Sequence, residues 1–258
     1  MPAVRPKKQL GQHFLNDKNV ALKIVESLTA EKSDYIIEVG PGMGVLTGEL
    51  LSKYGSKLFA AEVDSESVEY LKRNLPNLTP NLIQGDFLAL NLSKKFNGNL
   101  AIIGNFPYNI SSQIFFKVLE NKQMVDEVVC MIQREVALRI SEKPGTKTYG
   151  ILSVLLQAFY NIEYLFTVNE GVFSPPPKVK SAVIRLKRNK TQHLDCNEEL
   201  FVRVVKAGFN QRRKTLRNSI RSAFPNVELS AKFSEKRPER LSVEEFVALT
   251  NEVEKAIK

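Results

Sequence analysis

Residues 35–47 (YIIEVGPGMGVLT) constrain the fold more than any other stretch, because an apolar, β-branched run ends in Gly40, Gly42 and Gly44 and a helical pattern follows through Leu50 and Leu51. This reads as strand, tight turn, helix. Glycine here admits positive φ and close approach of a ligand to the backbone, and the unpaired N–H groups at the helix start suit a polar or anionic group. The spacing is G-x-G-x-G, shorter than the G-x-G-x-x-G turn that seats a dinucleotide pyrophosphate. Glu38 stands just before the turn and Pro41 stiffens it. The pattern suits a cofactor without a pyrophosphate, although by itself it also fits a plain βα connection.

Three later apolar runs end in polar residues. Residues 57–63 place Glu62 near a strand end, roughly 20 residues past the glycines, where doubly wound folds hold ribose hydroxyls. Residues 81–87 end in Gly85, Asp86 and Phe87; the carboxylate can accept from an exocyclic amine while the aromatic ring packs on a base. Residues 99–106 run into Asn105-Phe106-Pro107-Tyr108. Asn105 offers an amide oxygen, Pro107 lacks an N–H and fixes its own φ, and Tyr108 adds a π face with a polar tip. Together they can grip a planar amine, whereas an isolated Asn-x-Pro-Tyr is usually a strand meeting an X-Pro turn. Open parallel sheets bind ligands at their carboxyl edge, so four such strand ends outline one pocket.

Around this core the pattern predicts a first helix over Val20–Leu28 capped by Asn16 or Asp17, and a helix after Ser111 or Ser112. Further strands are expected at 127–133, 162–168 and 182–187, with a helix over 149–160. Residues 173–179 (FSPPPKV) form a stiff extended segment that fixes Phe173 and Lys178. Beyond residue 188 only helical periodicity remains, so a catalytic domain over 1–188 with a basic N-terminal tail and a helical domain over 189–258 are expected. The helical part carries Arg212, Arg213, Lys214, Arg217 and Arg221 within twelve positions, either a solvated face or a phosphate-binding one. The charge of the whole chain bears on that choice. Lys and Arg outnumber Asp and Glu by 37 to 28, a formal charge of +9, which favours a nucleic-acid partner. No apolar run approaches the ~20 residues of a membrane span and no signal-peptide core is evident, so a cytoplasmic protein is expected. Cys130 and Cys196 have neither metal nor disulfide spacing, and His13 alone is either a satisfied imidazole or a polar group at the rim of a site.

In this order, residues 11–17 (GQHFLND), 38–44 (EVGPGMG), Glu62, Gly85-Asp86, 105–108 (NFPY), 173–179 (FSPPPKV) and 210–216 (NQRRKTL) resemble the small-subunit ribosomal RNA adenine N6,N6-dimethyltransferases, the kasugamycin-sensitivity methyltransferase family. The resemblance covers nearly the whole chain. It implies an α/β fold, a Rossmann-like class I S-adenosylmethionine-dependent methyltransferase sheet with a small C-terminal helical domain. It places the cofactor along Gly40, Gly42 and Gly44, with Glu62 on the ribose, Asp86 and Phe87 at the adenine, Asn105 beside it, and His13 and Leu15 closing the pocket. For the target adenine it implies that the Asn105 side chain and the Phe106 carbonyl accept the N6 hydrogens, with Pro107 shaping the turn and Tyr108 and Phe173 stacking on the two faces. Lys178, Arg212, Arg213, Lys214 and Arg217 would hold RNA phosphates, and no metal is expected. The implied activity is dimethylation of two adjacent adenosines in a hairpin near the 3′ end of 16S RNA, in an immature 30S-type particle, by a monomer. Three rivals remain at this point: a nicotinamide-dependent oxidoreductase, a non-catalytic ribosome-assembly factor, and a large-subunit RNA methyltransferase of the antibiotic-resistance type.

Overall fold

The computed structural model describes residues 4–258; residues 1–3 of the expected basic tail lie outside the described residues. The chain forms two compact units, Met1–Ala137 with Ile162–Arg188, and Leu138–Asn161 with Asn189–Lys258. The division therefore differs from a single cut after residue 188, because residues 138–161 group with the helical segment that follows the sheet.

In the first unit β1 (Phe14–Leu15) is short and precedes the sheet strands β2 (Tyr35–Val39), β3 (Leu58–Glu62), β4 (Leu82–Gln84), β5 (Leu100–Asn105) and β6 (Val125–Gln133). The chain then supplies β7 (Tyr160–Val168), the short β8 (Phe173–Ser174) and β9 (Ser181–Arg188). The seven-stranded sheet has the order β4-β3-β2-β5-β6-β9-β7. Strands β4, β3, β2, β5 and β6 pair in parallel, and β9 runs antiparallel to β6. The unit also contains helices α1 (Lys18–Ser27), α2 (Val45–Tyr54), α3 (Ser65–Asn74), α4 (Leu92–Lys95) and α5 (Ser111–Glu120). Leu100, Ala101, Ile102 and Ile103 of β5 are all fully buried, the uninterrupted apolar run of a strand covered on both faces. The chain lays β3 and β4 to one side of β2 and returns to place β5 on the other. Such a reversal opens a crevice at the carboxyl ends of the two central strands.

Local chemistry explains several element ends. Asp17 caps α1 by accepting from the N–H groups of Asn19 and Val20. Neither serine caps α5: Ile110 occupies the N-cap position, and the Ser111 hydroxyl instead donates to the Tyr108 carbonyl at 3.3 Å. The strand expected over 81–87 is shorter, because at Asp86 the chain turns into a brief 3-10 segment whose Leu88 N–H the Asp86 carboxylate accepts.

In the second unit α6 (Arg134–Ser141) ends and α7 (Ile151–Gln157), α8 (Glu198–Asn210), α9 (Leu216–Ala223), α10 (Ala231–Ser234) and α11 (Val243–Ile257) follow. The helix expected over 149–160 stops at Gln157, since Tyr160 opens a sheet strand and long-range pairing overrides the local apolar pattern. Helix α8 turns Phe201, Val204, Val205 and Phe209 inward, and the rings of Phe209 and Phe246 stack at 5.9 Å. Tyr149 meets Phe209 at 6.3 Å, so this core draws on α11 and on the segment ahead of α7. Each fully buried phenylalanine of this kind contributes about 1.5–3 kcal/mol. Ser242 and Glu245 form a capping box at the start of α11.

Gly104 shows how closely the central strands pack, because a Cβ there would lie 2.5 Å from the Val39 carbonyl oxygen. The carbonyl belongs to backbone and a Cβ is fixed by the backbone that bears it, so neither can swing aside. Gly104→Ala is expected to cost about 1–3 kcal/mol, measured as a lowered midpoint of chemical unfolding.

Candidate active site

The glycine turn ends β2 with positive φ at Gly40 (68°), Gly42 (57°) and Gly44 (80°). Gly42 is confined by β1, for a Cβ there would lie 2.9 Å from the Phe14 ring. Gly44 takes the N-cap position of α2 and faces Leu71 and Leu75. It does not line the cleft, so of the three glycines it packs the turn while Gly40 and Gly42 border the open space.

Glu62 ends β3 nearly fully buried, where Oε2 accepts the Gly42 N–H at 3.0 Å and Oε1 accepts the Asp64 N–H at 2.9 Å. One carboxylate thus joins the glycine turn to the start of α3. Burial pushes its pKa up, opposed by these N–H donors. Asp64 caps α3, takes the Ser67 hydroxyl at 3.0 Å and the Gln12 amide at 3.4 Å, and pairs with the Lys7 ammonium. The hydrogen bonds of Lys7, Ser67 and Gln12 hold its pKa down against the effect of burial. Lys7 also reaches Glu66 at 3.1 Å. The N-terminal segment is thereby tied to the rim beside Glu62, a role for Gln12 of the 11–17 motif and for Lys7, which lies outside every motif.

The carboxyl ends of β2, β3, β4 and β5 border one cleft with about 930 Å³ of empty volume, the open solvent at its mouth included. Of the cofactor residues implied by the resemblance, His13, Leu15, Gly40, Gly42, Glu62, Asp86, Phe87 and Asn105 line it. So do Phe106, Pro107 and Tyr108.

Asn105 Nδ2 donates to the His13 carbonyl at 2.9 Å. That bond sets which way the amide faces and leaves Oδ1 as its acceptor. The Phe106 ring is buried against Phe115, with centroids 6.0 Å apart, and its N–H donates to the Met131 carbonyl. The Pro107 carbonyl accepts the Ile110 N–H at 3.2 Å, closing the turn. The Tyr108 hydroxyl lies 2.6 Å from Ser181 Oγ, and its ring stands 5.5 Å from the His13 imidazole, whose Nδ1 lies 2.8 Å from the Pro175 carbonyl. Burial raises the Tyr108 pKa.

Phe173 departs from expectation. It sits in β8 opposite Leu15, is 4% exposed and belongs to the core of the first unit, so it does not border the cleft. The β1–β8 pairing turns this apolar ring inward.

Lys178 is exposed. In the helical unit Arg212, Arg213, Lys214 and Arg217 are all exposed, and of these Arg212 donates to the Tyr149 carbonyl at 3.0 Å and Arg217 pairs with Glu235. Two of the arginines expected on RNA are therefore already engaged within the protein.

The cleft fits the cationic cofactor that the resemblance implies. Glu38 lies under the turn, is 2% exposed, and its Oε2 has no hydrogen-bond partner. Burial, opposed by the Thr47 hydroxyl and reinforced by the nearby Glu62 charge, pushes its pKa up to about 8. A buried carboxyl with one oxygen lacking a hydrogen-bond partner, in a cleft that Glu62 and Asp86 also line, matches a ligand that carries ammonium and sulfonium charges.

The family model described as ribosomal RNA adenine dimethylase matches residues 3–255. A ribosomal RNA small subunit methyltransferase A from Bacteroides fragilis is 56% identical over 263 residues, covering 100% of this chain and 96% of that protein. Among solved structures, a dimethyladenosine transferase from Plasmodium falciparum superposes with a TM-score of 0.77 at 24% identity, covering 95% of this chain and 98% of that one. The 23S rRNA methyltransferase ErmE superposes with a TM-score of 0.68 at 25% identity, covering 93% and 99%.

The raised Glu38 pKa predicts how stability varies with pH. A carboxyl that holds its proton more tightly when folded costs nothing below its unfolded pKa near 4.5. Stability then falls as pH rises toward about 8, by up to ~1.4 kcal/mol per pH unit from this group. Glu38→Gln is expected to flatten that slope and to raise Tm over wild type at pH 8.5 but not at pH 4, as measured by calorimetry on the ligand-free protein.

Proposed function

Because the chain belongs to the ribosomal RNA adenine dimethylase family, we propose that it transfers methyl groups from S-adenosylmethionine to N6 of two adjacent adenosines in a hairpin near the 3′ end of small-subunit ribosomal RNA. The observation that carries this reading is the Asn105 amide, whose nitrogen is engaged by the His13 carbonyl. Its oxygen remains as an acceptor, on a residue that lines the same cleft as Phe106 and Glu62.

When bound, S-adenosylmethionine supplies a methyl group on a sulfonium that leaves as a neutral thioether. Glu62 would hold its ribose hydroxyls and Asp86 its adenine amine, with Phe87 on the ring and His13 and Leu15 closing the pocket. The residues around the target base have a different task. Adenine N6 is a poor nucleophile because its lone pair is delocalised into the ring. The Asn105 Oδ1 and the Phe106 carbonyl accept the two N6 hydrogens, drawing the nitrogen toward tetrahedral geometry and aiming its lone pair at the methyl. Tyr108 stacks on the flipped base, worth about 1–3 kcal/mol by comparison with other base–aromatic contacts. The methylated adeninium is acidic enough to lose its proton to water, so no strong general base is needed at N6. After the first transfer one N6 hydrogen remains, and the base depends more on stacking for its placement.

Lys178, Arg213 and Lys214 contact RNA phosphates, joined by the N–H groups of Arg212 and Arg217 that are not engaged by Tyr149 and Glu235. These contacts position the RNA without reading its sequence. The substrate is an immature 30S-type particle and the enzyme acts as a cytoplasmic monomer. Among the described residues no helix is long and apolar enough to cross a membrane.

Incubation with labelled cofactor and, separately, naked RNA, immature small subunits and large subunits tests the reading. Two adjacent dimethyladenosines near the small-subunit 3′ end are expected, and modification confined to the large subunit would overturn it. Asn105→Ala is expected to abolish transfer while calorimetric cofactor affinity stays within a few fold; normal turnover would remove the amine-acceptor mechanism. Replacing Arg213 and Lys214 together with alanine should weaken RNA binding and reduce the slope of log K against log salt by about 1–2. An unchanged slope would return that run to an ordinary solvated face.

A further inference from the structure

We propose that Ser181 is a positioning residue for the transfer step, setting through its hydrogen bond to the Tyr108 hydroxyl the direction in which that ring meets the target base. The inference rests on the reading of Tyr108 as the stacking platform. Ser181 Oγ lies 2.6 Å from the phenol oxygen and the residue is fully buried. As the first residue of β9 it is held in register opposite Gln133 of β6, so its backbone is fixed by the sheet. A serine side chain has a single heavy-atom torsion, which makes it a stiff anchor.

The hydroxyl of a tyrosine lies on the axis about which its ring turns. A bond to that oxygen therefore fixes where the ring points but not how it is tilted. The tilt is limited from another direction. The His13 imidazole stands 5.5 Å from the Tyr108 centroid at 30° and is itself tethered by Nδ1 to the Pro175 carbonyl at 2.8 Å. Ser181 and His13 thus restrain the two torsions of one ring from separate parts of the chain. Transfer requires reacting atoms within about 3–3.5 Å and aligned, so a ring free to swing lowers the fraction of bound bases that are in line. The second transfer suffers more, because monomethylated N6 offers one hydrogen to the acceptors instead of two.

The test compares wild type, Ser181→Ala, Tyr108→Phe, the double variant and Tyr108→Ala in single-turnover methylation of small-subunit particles. Mono- and dimethyladenosine are quantified by mass spectrometry, and active sites are counted by calorimetric cofactor binding. Ser181→Ala and Tyr108→Phe should each slow transfer about fivefold, with a raised mono-to-dimethyl ratio and cofactor affinity within twofold of wild type. The double variant should be no slower than either single one, since all three lack the same bond. Wild-type rates and product ratio in Tyr108→Phe, losses that multiply in the double variant, or equal slowing of both steps would each overturn the positioning role. Tyr108→Phe tests the same bond should Ser181→Ala fail to fold. Full activity in Tyr108→Ala would instead remove the stacking reading itself, whereas an inactive Tyr108→Ala beside a wild-type Tyr108→Phe would remove only the role of Ser181.

Discussion

Parallel pairing of β2, β3, β4 and β5 obliges the chain to cross back over the sheet after each strand, so that every strand delivers its last residues to the same edge. The site is a consequence of that constraint. Glu38 and the glycine turn come from β2, Glu62 from β3, Asp86 from the end of β4 and Asn105 from β5, and each reaches the cleft because its strand ends there. Were any of these strands reversed, its polar end would lie at the far side of the sheet. The buried interior of β5 holds this arrangement rigid, with Gly104 allowing the backbone of β2 to pass close beside it.

At that edge the protein joins its parts through backbone groups more than through paired side chains. The Glu62 carboxylate accepts N–H groups from the glycine turn and from the start of α3, and the His13 carbonyl orients the Asn105 amide. Such contacts hold polar groups in place before a ligand arrives, which is how a site stabilises developing charge without reorganising. The outlier is Glu38, which pays for its burial with an unpartnered oxygen and a raised pKa. Its cost to the empty protein is consistent with a site arranged for a positively charged occupant rather than for its own stability.

Much of this was legible from residues alone. The strand, glycine turn and helix at 35–47, the acid at Glu62, the Gly85-Asp86 pair and the tetrapeptide at 105–108 each admit a plain structural reading, and it is their succession at four strand ends that outlines a site. Other elements were legible only approximately. The apolar run through 149–160 divides between α7 and β7, since local periodicity cannot tell a buried helix end from a buried strand start. The two-residue pairing of β1 with β8 leaves no periodic trace at all, and it decides that Phe173 faces the core.

The sequence by itself determined the class of fold, the order of its strands along the chain, the chemistry of the residues at their ends and the basic character that suits RNA, because these depend on local conformation and residue type. Only the tertiary structure decided how those residues are used. It assigned Gly44 to packing, engaged Arg212 and Arg217 within the protein, turned the Asn105 amide by a carbonyl from the N-terminal segment and set Ser181 against Tyr108. Each of these depends on distances between groups far apart in the chain, 92 positions for Asn105 and His13 and 73 for Tyr108 and Ser181, and no local pattern encodes a distance of that kind.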